Sequence, residues 1–391
     1  MKRNAGIASL STHYLFREIN SRKREFLKNH PQAELIHLGI GDTTQPIPAS
    51  VAKELTHAAR KLGTVRGYTG YGPEQGLKEL REAIAKQFYN NTIKPEEIFI
   101  SDGAKCDIGR LQMLFGPDVS IAVQDPAYPV YIDGSKIQGV TEIHYMACNP
   151  KNHFFPDLKK LPRTDLIYFC SPNNPTGAVA TKEQLERLVQ FAQKNRSIIL
   201  FDAAYACYIQ DSTLPKSIFE IEGAQSVAIE VNSFSKIAGF TGVRLGWTVV
   251  PEELKYDDGH SVRSDWSRLM STVFNGASNI TQAGGLAILR EEGINEIIHL
   301  NNYYMENAAI LKNALQNVGY KVFGGENAPY LWTEFPGQKS WEVFQYLLER
   351  YHLVTTPGSG FGPEGEGFIR FTAFGTRNAI LDAAKRISSI H

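Results

Sequence analysis

The segment Ser233–Trp247 reads SFSKIAGFTGVRLGW and places one lysine, Lys236, in a glycine-rich loop between two apolar runs. Two hydroxyl side chains, Ser233 and Ser235, precede this lysine closely, and Arg244 follows it by eight residues. A phosphate dianion is well bound by hydroxyl groups and a guanidinium, and glycine lets the backbone approach it closely. A neutral lysine amine forms a Schiff base with an aldehyde. The whole segment therefore predicts a pocket for pyridoxal 5′-phosphate, with Lys236 as the attachment point, although a lysine in a glycine-rich turn is by default a solvated side chain.

Short apolar runs alternate with helix-like segments on both sides of this loop. The predicted strands are mostly continuous apolar runs, typical of strands covered on both faces, and they are Glu97–Ser101, Ser120–Gln124, Leu166–Cys170, Ser197–Asp202 and Val227–Asn232. Helices are predicted at Leu77–Tyr89 and at Thr181–Lys194, where Thr181 and Gln184 form a capping box. This alternation predicts an α/β fold with a mostly parallel central sheet.

Beyond about residue 295 the pattern changes to a long helix at Glu296–Val318 and strands at Tyr330–Phe335 and Gly367–Phe371. This part of the chain is typical of a smaller α+β lobe. We predict a large cofactor-binding domain over residues 46–294. The small domain is predicted to combine residues 1–45 with residues 295–391.

Composition excludes several classes of function. Among 391 residues, 41 basic side chains balance 41 acidic ones, so charge favours neither nucleic acid nor an anionic membrane as a partner. The four cysteines form no CxxC pair and the ten histidines no HExxH group, which disfavours a disulfide framework or a bound metal. Neither a signal peptide nor a transmembrane run is apparent, and we expect a reducing cytoplasm.

Polar side chains at the ends of the predicted strands are candidates for the site. The turn Ser101–Lys105 leads from a strand into a helix that is predicted to begin near Cys106, and its backbone amides suit an anion. Asp202 ends an apolar run, where an isolated aspartate is more often a cap or turn former. Arg370 lies in an apolar run and needs a carboxylate partner, which is either a ligand or an internal salt bridge.

Residues 233–247, together with SPNNPTG at residues 171–177, resemble the class I and II aminotransferases, which are pyridoxal-phosphate enzymes of fold type I. The resemblance implies that Asp202 pairs with the ring nitrogen and that Arg370 binds the substrate α-carboxylate. It also implies the remaining cofactor contacts, which are phosphate contacts from Ala104, Lys105, Ser233, Ser235 and Arg244, contacts to the cofactor oxygen from Asn174 and Tyr205, and ring stacking by Tyr128.

Other strings are similar to the LL-diaminopimelate aminotransferase family along essentially the whole chain. They are YLF at residues 14–16, LGIGDTTQP at 38–46, GYGPEQG at 70–76, DGAKCD at 102–107, FNGAS at 274–278 and APYLW at 328–332. That family transfers an amino group between LL-diaminopimelate and 2-oxoglutarate, giving tetrahydrodipicolinate and glutamate in the route to lysine and peptidoglycan. A ping-pong reaction with Lys236 as the proton carrier is implied.

The finer resemblance also implies substrate contacts, which are Tyr14, Gly41, Lys105, Tyr128, Asn174, Asn275 and Arg370. Asn275 is also implied at the cofactor. Tyr71 is implied to reach the cofactor phosphate of a neighbouring subunit, which predicts a homodimer. Glu74 is implied to bind the distal ammonium of diaminopimelate, although a glutamate just after Pro73 is equally explained by the dipole of a helix's first turn.

Two other interpretations remain open from the sequence. An aromatic or alanine aminotransferase, or a carbon–sulfur lyase, would share the residues around the cofactor but is not expected to share IGDTTQP. A regulatory domain that binds pyridoxal phosphate without turnover would keep the fold. The complete set of Lys236, Asp202, Asn174 and Arg370 favours an active enzyme.

Overall fold

The computed structural model describes residues 1–10 and 14–390. Its helices are α1 Ala5–Ser9, α2 Leu15–Asn29, α3 Ala49–Leu62, α4 Lys78–Tyr89, α5 Ala104–Phe115, α6 Val130–Gln138, α7 Lys182–Asn195, α8 Phe234–Ile237, α9 Val262–Val273, α10 Asn279–Ile288, α11 Glu291–Asn317, α12 Ser340–Tyr351 and α13 Arg377–Ile387. Its strands are β1 Ile36–His37, β2 Ile98–Ser101, β3 Ile121–Asp125, β4 Ile143–Ala147, β5 Leu166–Cys170, β6 Ile198–Asp202, β7 Ala228–Ser233, β8 Gly246–Val249, β9 Val322–Gly324, β10 Tyr330–Glu334, β11 Leu353–Val354, β12 Thr356–Pro357 and β13 Phe368–Thr372.

A seven-stranded sheet forms the centre of the larger part of the molecule. Its strand order is β2-β8-β7-β6-β5-β3-β4, and every neighbouring pair is parallel except those of β8, which runs antiparallel to β2 and β7. All residues of β3, β5 and β7 are buried, as continuous apolar runs require. The predicted α/β fold with a mostly parallel central sheet is confirmed.

One edge of this sheet gathers the strand ends that carry polar residues. The parallel strands β5, β6 and β7 end at Cys170, Asp202 and Ser233. The reversed strand β8 begins at Gly246, which pairs with Ser233 of β7 and with Ser101 of β2. The turn before β8 and the turn after β2 are thereby brought to the same edge, which is the usual position of ligand sites in α/β sheets.

A second, antiparallel sheet with the order β12-β13-β10-β9 lies in the C-terminal part of the chain, and a short parallel pair joins β1 to β11. Strand β13 is internal to this sheet and carries Arg370. One hydrophobic cluster includes Leu15, Ile19 and Phe26 of α2 together with side chains of α11, α12 and α13. The N-terminal helix therefore packs with the C-terminal elements, while the domain limits at residues 46 and 294 stay a prediction.

One predicted helix start is confirmed and two others differ from the prediction. Helix α7 has the predicted capping box, in which Thr181 Oγ1 accepts from the amide of Gln184 and the Gln184 side chain accepts from the amide of Thr181. Helix α5 begins at Ala104 rather than near Cys106. Helix α4 begins at Lys78, so the alternative that placed Glu74 in a helix's first turn is wrong.

Three further observations concern the described part of the chain. No helix within residues 1–10 and 14–390 is long and apolar enough to cross a membrane. The same residues contain no group of histidine, cysteine, aspartate and glutamate side chains that could hold a metal ion. All four cysteines are free thiols.

Candidate active site

A cavity of about 440 Å³ opens at the polar edge of the seven-stranded sheet. Side chains from both sheets line it, so neither part of the molecule forms the cavity alone. The predicted site residues that the structure brings together there are Gly41, Ala104, Lys105, Tyr128, Asn174, Asp202, Tyr205, Ser233, Ser235, Lys236, Arg244 and Arg370.

The amine of Lys236 is set up as a nucleophile. It lies in α8, donates a hydrogen bond to the carbonyl oxygen of Gly41, and sits 5.3 Å from the centre of the Phe374 ring. Burial lowers the pKa of this lysine to about 8, against the opposing effect of the Asp42 carboxylate. The neutral amine that an attack on an aldehyde requires is therefore much more abundant near neutral pH than in an ordinary lysine.

Arg244, Ser233 and Ser235 line the cavity and supply hydrogen-bond donors to it. Arg244 Nη1 donates to Ser235 Oγ and to the Thr241 carbonyl, each at 3.2 Å, and no carboxylate among the described residues pairs with it. The backbone of Arg244 has a φ of 68°, a strained conformation that the surrounding structure must hold. Gly103 has a φ of 124°, which side chains rarely adopt, and a Cβ there would lie 2.6 Å from Arg244 Nη2, so glycine is required beside Arg244.

The first turn of α5 reaches the same cavity, since Ala104 and Lys105 also line it. The first amides of a helix have no partner within the helix, and the helix dipole favours an anion there. Serine hydroxyls, an arginine and a helix N-terminus together are suited to a phosphate group.

Asp202 is a buried carboxylate at the end of β6, with only 8% of its surface exposed. Its Oδ1 accepts a hydrogen bond from the amide of Ala204 at 3.0 Å, and its Oδ2 accepts one from the hydroxyl of Tyr131 at 2.8 Å. Burial raises the pKa of Asp202, and no cationic side chain among the described residues forms an ion pair with it. A carboxylate in this position is suited to a cationic ligand group such as a protonated ring nitrogen.

Arg370 is 1% exposed and has no carboxylate partner among the described residues. Its guanidinium donates to Asn174 Oδ1 at 2.6 Å and to the Gly39 carbonyl oxygen, while its Nε has no acceptor. The rings of Tyr330 and Phe361 lie 4.7 and 4.8 Å from the guanidinium carbon. The alternative of an internal salt bridge is wrong within the described chain, and the guanidinium is free to bind the carboxylate of a ligand.

Tyrosines surround the remaining walls of the cavity. The hydroxyls of Tyr205 and Tyr330 are 2.6 Å apart. The hydroxyl of Tyr14 forms a hydrogen bond with that of Tyr128, and burial raises the pKa of both tyrosines to about 12. Lys105 Nζ lies 5.4 Å from the centre of the Tyr128 ring. These hydroxyls stay protonated at ordinary pH and can act as neutral donors.

Four predicted residues do not line the cavity. Tyr14 is one of them and reaches it only through its hydrogen bond to Tyr128. Tyr71 is 88% exposed, and Glu74 and Asn275 are also exposed. Glu74 accepts a hydrogen bond from Ser271, and a Cβ at Gly276, next to Asn275, would lie 3.5 Å from the Cα of Glu74. Tyr71, Glu74 and Asn275 therefore lie together on one surface of the chain, and their roles in binding stay predictions.

Several cavity residues were missed by the sequence analysis, among them Asp42, Tyr131, Thr241 and Tyr330. Asp42 and Tyr330 belong to the quoted strings IGDTTQP and APYLW, so these strings already contained a signal. Tyr131 stands three residues after Tyr128, a spacing that puts both side chains on the same side of a helical turn. Nothing in the sequence distinguishes Tyr131 from an ordinary core aromatic.

The chain is similar to known aminotransferases over nearly its whole length. The family model for aminotransferase class I and II matches residues 33–387. The LL-diaminopimelate aminotransferase of Protochlamydia amoebophila (strain UWE25) is 58% identical over 398 residues, covering 99% of this chain and 97% of that protein. The chloroplastic LL-diaminopimelate aminotransferase of Arabidopsis thaliana is 54% identical over 403 residues, covering 100% of this chain and 87% of that protein.

A solved structure gives the same result in three dimensions. The L,L-diaminopimelate aminotransferase from Chlamydomonas reinhardtii superposes with a TM-score of 0.96 at 56% identity, covering 99% of this chain and 98% of that chain. The likeness therefore extends over both sheets of the fold.

Proposed function

This chain belongs to the class I and II aminotransferases, and we propose that it transfers an amino group from LL-2,6-diaminopimelate to 2-oxoglutarate. The products are tetrahydrodipicolinate and glutamate, and the reaction is reversible and serves the synthesis of lysine and peptidoglycan precursors. One observation carries the reaction type: Lys236, Asp202 and Arg370 face a single cavity. Identity of 54–58% to LL-diaminopimelate aminotransferases along the whole chain supports the substrate.

The residues present fit pyridoxal 5′-phosphate, the cofactor that this family generally uses. Arg244 without a carboxylate partner and the space that Gly103 leaves beside it suit the phosphate group. Asp202 without a cationic partner suits the ring nitrogen, and Lys236 suits the aldehyde. Asn174 and Tyr205 would donate to the ring oxygen, and Tyr128 would stack on the ring. When bound, the cofactor supplies an electron-withdrawing ring that accepts the electron pair released at Cα of the amino acid.

The chain's own groups perform the proton transfers. Lys236 Nζ, whose pKa burial lowers to about 8, would take the proton from Cα of the substrate and would carry it to the former aldehyde carbon of the cofactor. Asp202 keeps a proton on the ring nitrogen because a buried carboxylate stabilises a cation beside it. The two half-reactions use the same lysine in opposite directions, so the amino donor and the oxo acid bind in turn.

Arg370 orients the substrate in both half-reactions. Every substrate of the proposed reaction has an α-carboxylate, and a guanidinium binds a carboxylate through two parallel hydrogen bonds. Asn174 Oδ1 holds the Arg370 side chain in place at 2.6 Å. The pairing of Arg370 with the substrate carboxylate would hold the Cα–H bond in one orientation relative to Lys236. Such orientation lowers the reaction barrier by more than the binding energy of the contact alone.

The two amino donors differ at the distal end, away from the reacting amino group. Diaminopimelate has a distal ammonium and carboxylate, whereas glutamate has only a carboxylate. Lys105, together with the neutral donors Tyr14 and Asn275 and the backbone at Gly41, would serve the carboxylate of either substrate. Glu74 would bind the distal ammonium and would need a bridging water or a small shift when glutamate is bound.

Two copies of the chain would share each site. Val65 is 100% exposed, Tyr68 is 71% exposed and Tyr71 is 88% exposed, so one segment presents three large apolar side chains to solvent. Such a patch is typical of an interface, and a homodimer would place Tyr71 and Glu74 of one subunit at the cavity of the other.

Mixing two inactive variants tests this sharing. A Lys236→Ala chain with intact Tyr71 is mixed with a Tyr71→Ala chain with intact Lys236 under conditions that exchange subunits. Activity above that of either variant alone is expected, because the mixed dimer contains one complete site. A mixture no more active than its parts would contradict a shared site.

Half-reaction spectroscopy tests the proposed activity as a whole. The protein loaded with pyridoxal phosphate is mixed in turn with LL-diaminopimelate, meso-diaminopimelate, glutamate, tyrosine and alanine without an oxo acid. Loss of the visible absorbance band with LL-diaminopimelate and glutamate, and not with tyrosine or alanine, is expected. A response to tyrosine or alanine alone would assign another amino donor, and an unchanged band with every amino acid would support a regulatory protein.

A further inference from the structure

Tyr131 is a buried side chain of α6 that holds one oxygen of Asp202. Its hydroxyl donates to Asp202 Oδ2 at 2.8 Å, while the amide of Ala204 donates to Oδ1 at 3.0 Å. We propose that Tyr131 is a positioning residue that keeps Asp202 ionised and correctly turned for the ring nitrogen of pyridoxal phosphate. The inference rests on the proposed function, since it gives Tyr131 a role only through that cofactor.

The direction of the hydrogen bond follows from the groups around the Tyr131 hydroxyl. The thiol of Cys170 also contacts this hydroxyl, but Cys170 Sγ donates its own hydrogen to the Pro172 carbonyl oxygen at 3.2 Å. A tyrosine has one proton to donate, and the carboxylate is a much stronger acceptor than a sulfur atom. The Tyr131 proton is therefore directed at Asp202.

The surroundings of Tyr131 fix its ring before any ligand binds. The ring stacks on Tyr168 at 5.3 Å and meets the edge of Tyr128 at 6.2 Å. Its backbone carbonyl oxygen accepts from Gln112 Nε2 at 3.1 Å and from Ser135 Oγ at 2.7 Å. A donor held in this way pays little entropy when it supports a charged group.

The chemistry of the donor explains why a tyrosine suits this position. Burial and the nearby Asp202 carboxylate raise the pKa of Tyr131 well above 10, so the hydroxyl stays protonated and neutral throughout the working pH range. A lysine or arginine at the same place would form an ion pair with Asp202 and compete with the ring nitrogen for its charge. A neutral donor instead stabilises the carboxylate and leaves its negative charge for the cofactor.

Replacing the hydroxyl without replacing the ring tests this role. In Tyr131→Phe, Asp202 loses one donor to its ionised form, and affinity for pyridoxal phosphate should fall by roughly ten- to a hundredfold, as for a hydrogen bond to a charged group. The pH midpoint of the bound cofactor's visible absorbance should move upward. This midpoint reports the proton on the nitrogen that joins Lys236 to the cofactor, and a less positive ring nitrogen repels that proton less. Tyr168→Phe is the matched control, since its hydroxyl contacts Ser135 and not Asp202. We expect it to match the wild type in both measurements.

A double-mutant cycle separates positioning from a general structural role. If Tyr131 acts through Asp202, adding Tyr131→Phe to Asp202→Asn should change cofactor affinity by less than about twofold. An equal loss in both backgrounds, or a Tyr131→Phe protein with wild-type affinity and pH midpoint, would overturn the inference.

The same titration distinguishes the two proposals. A wild-type protein that gains no visible absorbance band with pyridoxal phosphate overturns the proposed function and this inference with it. A wild-type band together with an unaffected Tyr131→Phe variant overturns only the role of Tyr131.

Discussion

Replacing Arg370 by lysine keeps a positive charge in the cavity but removes the planar fork. Arg370 is held by Asn174 Oδ1 at 2.6 Å and by the Gly39 carbonyl oxygen, and its Nε has no acceptor within the described chain. A lysine makes one contact with a carboxylate where arginine makes two, and each hydrogen bond to a charged group contributes about 1.5–3 kcal/mol. The loss of transition-state stabilisation should be about 2–3 kcal/mol, or roughly 30- to 150-fold in kcat/KM.

Because the α-carboxylate is common to all substrates, this loss should be nearly equal for LL-diaminopimelate, glutamate and 2-oxoglutarate. Steady-state kinetics in both directions measures it, and thermal unfolding checks that the variant is folded. The matched control is Arg377→Lys, which changes an arginine of the same lobe that pairs with Glu306 outside the cavity and should leave kcat/KM within about twofold. A loss below about threefold for Arg370→Lys, or a loss confined to one substrate, would refute the assignment of Arg370 to the α-carboxylate.

Three other perturbations test separate groups. Lys236→Ala should still bind pyridoxal phosphate but lower turnover by about 10²- to 10⁴-fold or more, measured by cofactor absorbance and steady-state rate, and near-normal turnover would contradict its role as proton carrier. Glu74→Gln should weaken use of LL-diaminopimelate much more than use of glutamate, and equal losses in kcat/KM would rule out an ammonium contact. Glu230 is a buried residue of β7 whose carboxylate accepts hydrogen bonds from Tyr89 and Ser217. Burial raises the pKa of Glu230 from 4.5 to about 7, so its contribution to the free energy of unfolding is present below pH 4.5 and lost as pH rises through 7, by about 3 kcal/mol. Glu230→Gln should lack this decline, and melting temperatures of wild type and variant that change in parallel from pH 5 to pH 8 would contradict it.

Local patterns in the sequence predicted seven of the thirteen strands and four of the thirteen helices of the described chain. Continuous apolar runs predicted five strands of the central sheet, because strands buried on both faces need apolar side chains at every position. Thr181 and Gln184 predicted the start of α7, because a capping box is complete within four residues. The antiparallel position of β8 between β2 and β7 was not predicted, since no local pattern states which strand a segment will pair with.

The sequence by itself also predicted the chemistry at Lys236, because one short loop contains the lysine, the hydroxyls and Arg244 that the proposed cofactor would require. Only the tertiary structure decided what surrounds that loop. Arg370 and Asn174 are 196 positions apart, and Tyr131 and Asp202 are 71 positions apart. Such pairs depend on strand order and on the packing of one lobe against the other, and a hydrogen bond between distant residues leaves no periodicity in either segment. The sequence therefore predicted the reactive amine, whereas the fold decided which carboxylate, arginine and tyrosine stand around it.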